Sequence, residues 1–189
     1  SAAFLAALTA ADCVVVPIGN YLISTQITIP AANKSLVGLG GTIVRSYLLT
    51  SSAVFTATSK DNLTFDSLKF SVSTSTPHTV SGSFINIDTC HFAIIKNCSF
   101  DGAIPGTTVN RESLFSAVYT PSCNDLIIQG NQFKYIYGNS CGANDGAGTG
   151  VNGKNVTIAN NVFFNTVDTG VGCYTNCQNV TITGNVFDR

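Results

Sequence analysis

Methionine and tryptophan are absent from this 189-residue chain, and glutamate occurs once, at Glu112. Charge of either sign is scarce: nine Lys or Arg stand against ten Asp or Glu, 10% of all positions where about 25% is ordinary. No basic cluster exists, so the electrostatic footprint of a nucleic-acid partner is missing. No apolar run reaches the roughly 18 residues of a membrane-spanning helix, and no membrane partner is expected. Seven cysteines include no paired CxxC motif, and His78 and His91 have no acid or serine at a suggestive spacing. A metal site, a catalytic triad and a resident cofactor are therefore not expected. Ser, Thr and Asn fill 58 of the 189 positions, which makes a polar but barely charged surface.

The order in this composition is periodic. The segment Asn155-Val-Thr-Ile-Ala-Asn-Asn-Val-Phe163 returns as Asn179–Phe187, and earlier as Asp125–Phe133, Phe92–Phe100 and Asn62–Phe70, with starts 30, 33, 30 and 24 residues apart. The second and fourth positions are apolar in every copy, the period of a strand. The ninth is always Phe. The sixth is Ser67, Asn97, Gly130, Asn160 or Gly184, residues suited in four of five copies to a left-handed corner. Each copy thus reads strand, corner, strand. A further strand precedes each one, at 53–57, 83–87, 114–119, 148–151 and 170–174, and seven residues before each start stand Phe55, Ile85, Val118, Gly148 and Gly172.

Units of this length with short strands and no helix are stacked coils, each giving one strand to each of several parallel sheets. Val14–Val16 and Leu22–Ile23 add N-terminal strands. Ser1–Ala11 differs: it is Ala-rich, with Phe4, Leu5 and Leu8 at helical spacing, and reads as a short helix over the first coil. The expectation is one all-β domain over 1–189: a right-handed single-stranded parallel β-helix of about six to seven coils (13–189) behind a capping α-helix (1–12). The sequence stops directly after a repeat, which reads as a stack continued in a longer protein or capped by another chain.

Ala3-Phe-Leu-Ala-Ala-Leu8, Val14-Val-Val-Pro-Ile-Gly-Asn-Tyr-Leu-Ile23 and Leu36-Val-Gly-Leu-Gly-Gly41, together with the Asn-Val-Thr-Ile coils, resemble the pectate-lyase-like right-handed parallel β-helix superfamily over nearly the whole chain. The resemblance implies a long carbohydrate lying across one sheet. It covers phage tailspikes, pectin lyases, polygalacturonases, alginate-modifying enzymes and inert structural members alike. The main expectation is a tailspike-like module that binds, with or without cleaving, a surface or extracellular polysaccharide. It would stand on a virion or outside the cell, as a trimer or stacked homo-oligomer. The alternatives are a structural or adhesin subunit and a secreted hydrolase or lyase.

Glycan hydrolysis usually takes two carboxyl groups. Asp145 and Asp168 precede strands of consecutive coils and form the candidate catalytic pair, with Glu112 as a candidate general acid beside Asp101 or Asp145. The bland alternatives are turn residues and a solvated Arg111–Glu112 pair. Asn165-Thr-Val-Asp168 only loosely matches the Asn-Thr-Asp segment of polygalacturonases, and their second Asp pair, Gly-His-Gly and Arg-Ile-Lys segments do not occur. Calcium, used by lyases of the superfamily, finds no acid cluster. Tyr119, Tyr135, Tyr137 and Tyr174, among Asn and Thr, are candidate sugar platforms, with cross-coil stacking as their other reading.

Cys90, Cys123 and Cys177 each sit two residues before a repeat. Coils about 4.8 Å apart fall within the disulfide window, so Cys90–Cys123 is geometrically open, as is a pair among Cys173, Cys177 and Cys141. Free thiols in an interior ladder are the alternative. Asn33, Asn62, Asn97, Asn155 and Asn179 begin N-x-S/T sequons.

Overall fold

In a computed structural model of the chain, residues 1–46, 49, 53–73, 82–102, 116–136, 139–143 (backbone path), 153–166, 170–173 and 177–188 are described. They form one helix, α1 (Ala2–Ala10), and three all-parallel sheets. The first sheet orders β1 (Cys13–Val16), β4 (Ser35–Gly38), β7 (Thr64–Asp66), β10 (Ile94–Lys96), β13 (Leu126–Gln129), β16 (Lys154–Ala159) and β19 (Gln178–Thr183). The second orders β2 (Asn20–Ile23), β5 (Thr42–Arg45), β8 (Lys69–Val72), β11 (Ser99–Asp101), β14 (Gln132–Lys134), β17 (Val162–Phe164) and β20 (Val186–Asp188). The third orders β3 (Ile27–Thr28), β6 (Phe55–Thr58), β9 (Ser83–Asp88), β12 (Ser116–Thr120), β15 (Asn139–Ala143) and β18 (Val171–Cys173). Every third strand shares a sheet, so the chain visits the three faces in turn and stacks coil on coil: a parallel β-helix.

The repeat's alternation fixes what lies inside. Its fourth position places Leu36, Phe65, Ile95, Ile128 and Ile158 in register, all buried. The ninth builds a column of rings. Phe70, Phe100, Phe133, Phe163 and Phe187 stack at 5.0, 5.0, 4.9 and 4.8 Å between centroids, within 9° of parallel. The column is buried until its last member, Phe187, which is 59% exposed.

The corner between the first and second sheets is invariant in length, two residues in every copy from β7–β8 to β19–β20. Its first residue adopts positive φ throughout: Ser67 55°, Asn97 54°, Gly130 66°, Asn160 56° and Gly184 62°. Its second faces inward, and from the third copy on it is asparagine. Asn131 donates its side-chain amide to the Ile95 carbonyl at 2.9 Å, while Asn161 Oδ1 accepts from both the backbone and the side chain of Asn131. Asn161 repeats the pattern with Ile128 and Asn185. Each amide thus satisfies a buried carbonyl and the preceding corner's N–H, which turns a buried polar side chain from a cost into a brace.

α1 covers the first coil with Phe4 and Leu8, not with Leu5, which is 44% exposed. Phe4 meets Tyr21 and Phe55 edge-on at 5.7 and 5.8 Å. Lys34 Nζ bonds the Ala11 carbonyl just past the helix and Asp12 Oδ1, both at 2.9 Å. In the Leu36–Gly41 turn, a Cβ on Gly38 would collide with the Ser67 carbonyl, and Gly40 holds φ 99°. Arg45 takes an inward place on β5, in register between Ile23 and Val72. Its Nη2 donates to the Leu49 carbonyl, and burial lowers its pKa to about 10.

One expected strand is misplaced. The strand before the fourth copy is β15, at Asn139–Ala143, and the segment 148–151 lies outside the described residues. Cys141 pairs with Val118 and Val171, so the register column runs Phe55, Ile85, Val118, Cys141, Val171 and omits Gly148 and Gly172. The extra residues of this coil enter after the third-sheet strand, a position that alternation alone cannot distinguish from one before it.

Candidate functional site

The connections into the third sheet carry most of the variation in coil length. They occupy 24–26, 46–54, 73–82, 102–115, 135–138 and 165–170, whereas the corner between the first two sheets has three residues in the first two coils and two in every later one. The connections from the third sheet to the first lengthen once, at 144–153. A face bordered by long, variable connections on a rigid scaffold is where binding residues concentrate.

On that face Thr28, Thr56, Asn86, Tyr119, Gly142 and Gly172 lie in one row, matched strand to strand. Thr56, Asn86 and Tyr119 are half-exposed between buried neighbours and therefore point outward. No Lys or Arg occurs in any strand of this sheet, and Asp88 at the end of β9 is its one acid. Tyr119 follows a hydroxyl and an amide in this row and precedes two glycines, which add no side chains to it. Phenol, amide and hydroxyl in a row offer an aromatic face with hydrogen-bonding groups at intervals of about 4.8 Å.

Tyr135 stands on the corner leading from β14 toward β15. It holds φ 53°, its backbone N–H donates to the Phe164 carbonyl at 3.1 Å, and its ring meets Phe164 edge-on at 5.7 Å and 89°. Cross-coil packing thus accounts for one face of this ring. Tyr137 and Tyr174 lie outside the described residues, as do Asp145, Asp168 and Glu112. In chain order Glu112 precedes β12, Asp145 follows β15 and Asp168 precedes β18, so all three belong to connections of the third sheet. Asp101, the other acid considered with Glu112, is half-buried on the outside of the second sheet, in register with Lys134.

Cys90 and Cys123 are fully buried where successive coils leave the third sheet, tied by the Asn124 N–H to the Cys90 carbonyl at 3.0 Å. Both are free thiols, Cys90 donating to the Asp88 carbonyl at 3.2 Å and Cys123 to the Ile87 carbonyl at 3.3 Å. Their mutual interaction lowers the pKa of Cys90, while the same interaction and burial raise that of Cys123. Cys173 and Cys177 are half-buried, and burial pushes the Cys177 thiol up to about 11. Among the described residues no group of three or more His, Cys, Asp or Glu could hold a metal ion.

The all-parallel topology, the ring column and the asparagine corners define the class: a three-sheet parallel β-helix with an outward tyrosine on its third sheet. No protein-family model matches the chain, and no curated protein matches it. Among solved structures, the chain is similar to the crystal structure of a "putative glycosyl hydrolase" from Parabacteroides merdae ATCC 43184, with a TM-score of 0.63 over 95% of this chain and 84% of that one. The two are 12% identical, so what they share is the fold.

Proposed function

We propose that the chain engages an extracellular or surface polysaccharide along the outer face of the third sheet. The observation that carries this reading is Tyr119, outward on β12 in register with Asn86 on one side and Gly142 on the other. An aromatic ring flanked by an amide on one side and by a glycine on the other suits the apolar C–H face of a sugar with its hydroxyls held at the edge. The fold likeness to a protein described as a "putative glycosyl hydrolase" supports it. Cleavage by Asp145 and Asp168, with Glu112 as acid, is the finer form of the proposal, as is a tailspike-like oligomer presenting several such faces.

Two measurements separate the forms. Affinity electrophoresis through gels carrying neutral or acidic polysaccharides is expected to retard the wild type, and Tyr119→Ala is expected to migrate freely. Retention equal to wild type in that variant removes the third sheet as the binding face. Assays of reducing ends and of unsaturated-product absorbance report cleavage; if any activity found survives Asp145→Asn and Asp168→Asn, those acids are not its catalysts.

A further inference from the structure

Where the third sheet turns into the first, one residue is placed against its own interests. The first position of each repeat has a left-handed backbone: φ is 59° at Asn33, 57° at Asn62, 57° at Phe92, 54° at Asp125, 57° at Asn155 and 53° at Asn179. Asn and Asp tolerate that conformation, and here they also form an outside ladder. Asn62 Nδ2 donates to Asn33 Oδ1 at 2.8 Å, Asn155 to Asp125 at 2.9 Å and Asn179 to Asn155 at 3.1 Å. Phe92 occupies the same place with a β-carbon that clashes in that region, a ring unable to join the ladder, and 59% exposure. The Phe92 N–H donates to the Asn124 carbonyl at 3.2 Å, as its neighbours in the ladder do across their coils, but the ring itself gains neither full burial nor a hydrogen bond, and strain kept without a return to the side chain is a pointer to function.

The surroundings of Phe92 show what it could meet. Asn62 lies one coil before it and Asp125 one coil after. His91 is fixed beside it: its N–H donates to Asp61 Oδ1 at 2.8 Å, and its Nδ1 stands 4.0 Å from Asp125 Oδ2. Lys60 and Lys154 accompany Asp61 and Asp125 on the same edge, so charges of both signs flank the ring.

We propose that Phe92, with Asn62 and Asp125, is a sugar-binding subsite for an uncharged polysaccharide. The ring takes the C–H face of one sugar, the Asn62 amide and the Asp125 carboxylate bond its hydroxyls, and the coil spacing lets neighbouring sugars reach neighbouring rungs. The subsite rests on the carbohydrate reading above but lies on a different edge from Tyr119, at the exit of the sheet.

The test uses the whole chain in gels containing a neutral glucan, galactan or mannan, or polygalacturonate, with thermal melting alongside. Phe92→Asn replaces the ring by the residue that the ladder and the backbone favour. It is expected to melt higher than wild type yet bind the neutral glycan about tenfold more weakly, while Phe92→Trp keeps the binding. Lower melting of Phe92→Asn assigns Phe92 to the scaffold and overturns the subsite. Wild-type affinity in Phe92→Asn together with loss in Tyr119→Ala overturns the subsite alone and leaves the third-sheet reading standing. Retention of the wild type by polygalacturonate only overturns the uncharged ligand, and retention by no polysaccharide overturns both readings.

Discussion

The side-chain oxygen of Asn161 accepts two hydrogen bonds from Asn131, one from its backbone N–H at 2.9 Å and one from its amide at 3.0 Å. Both residues are buried, with exposures of 0% and 1%. Removing that oxygen leaves two donors without an acceptor inside the stack. Asn161→Ala is therefore expected to destabilise the chain by about 1–3 kcal/mol for each orphaned donor, read as a fall in the urea midpoint. A midpoint equal to wild type would show that the corners do not depend on their amides.

The ring column gives a graded series. Phe133 is fully buried between Phe100 and Phe163, so Phe133→Ala is expected to cost about 3–5 kcal/mol. Phe187 stacks on Phe163 but leaves its other side to solvent, and Phe187→Ala should cost clearly less. Equal losses in chemical denaturation would contradict the burial gradient.

Acid should weaken the outside of the first sheet through Asp66. Partial burial raises its pKa, but hydrogen bonds from Asn97, Ser67 and Lys96 and the charge of Lys96 at 3.3 Å outweigh that and hold it below the ordinary value of 3.8. A lowered folded pKa contributes stability above 3.8 that is lost as pH falls through the folded value. Wild type should exceed Asp66→Asn in melting temperature at neutral pH, and the difference should close below pH 3.8. A gap that is independent of pH would mean that the carboxylate's charge is not involved.

The thiols should react in two classes. Cys13 is exposed and is expected to react at once with an aromatic disulfide reagent. Cys98 is buried, and desolvation pushes its pKa up to about 12. It should react only at the rate of unfolding, as should Cys90 and Cys123. Mass mapping of the labelled sites over time distinguishes the classes, and prompt native labelling of Cys98 would contradict its placement.

The periodic signal reached deep into this fold because in a stack of coils a repeat in sequence is a contact in space. The phenylalanine at the ninth position and the left-handed corner at the sixth were legible as spacing, and the structure piles the former and turns at the latter. The inward asparagines were not, since Asn131, Asn161 and Asn185 read as turn residues until their amides are seen bonding buried carbonyls. Arg45 escaped for the same reason: no pattern of polarity announces a guanidinium in an apolar column. The strand at Asn139–Ala143 was missed because Gly148–Val151 alternates as acceptably, and only pairing with β12 decides between them. At the candidate site, Tyr119 was read on its sheet, whereas Phe92 was passed over as one more apolar residue because its strain lies in the backbone.

The two-residue corner between the first and second sheets also separates two kinds of change. Amino acids inserted on the approaches to the third sheet alter neither the pairing of the strands nor the rings beneath them, since loop closure grows only slowly more costly with length. A lineage, or a protein engineer grafting peptides, can therefore rewrite the recognition surface one coil at a time while the spine stays untouched.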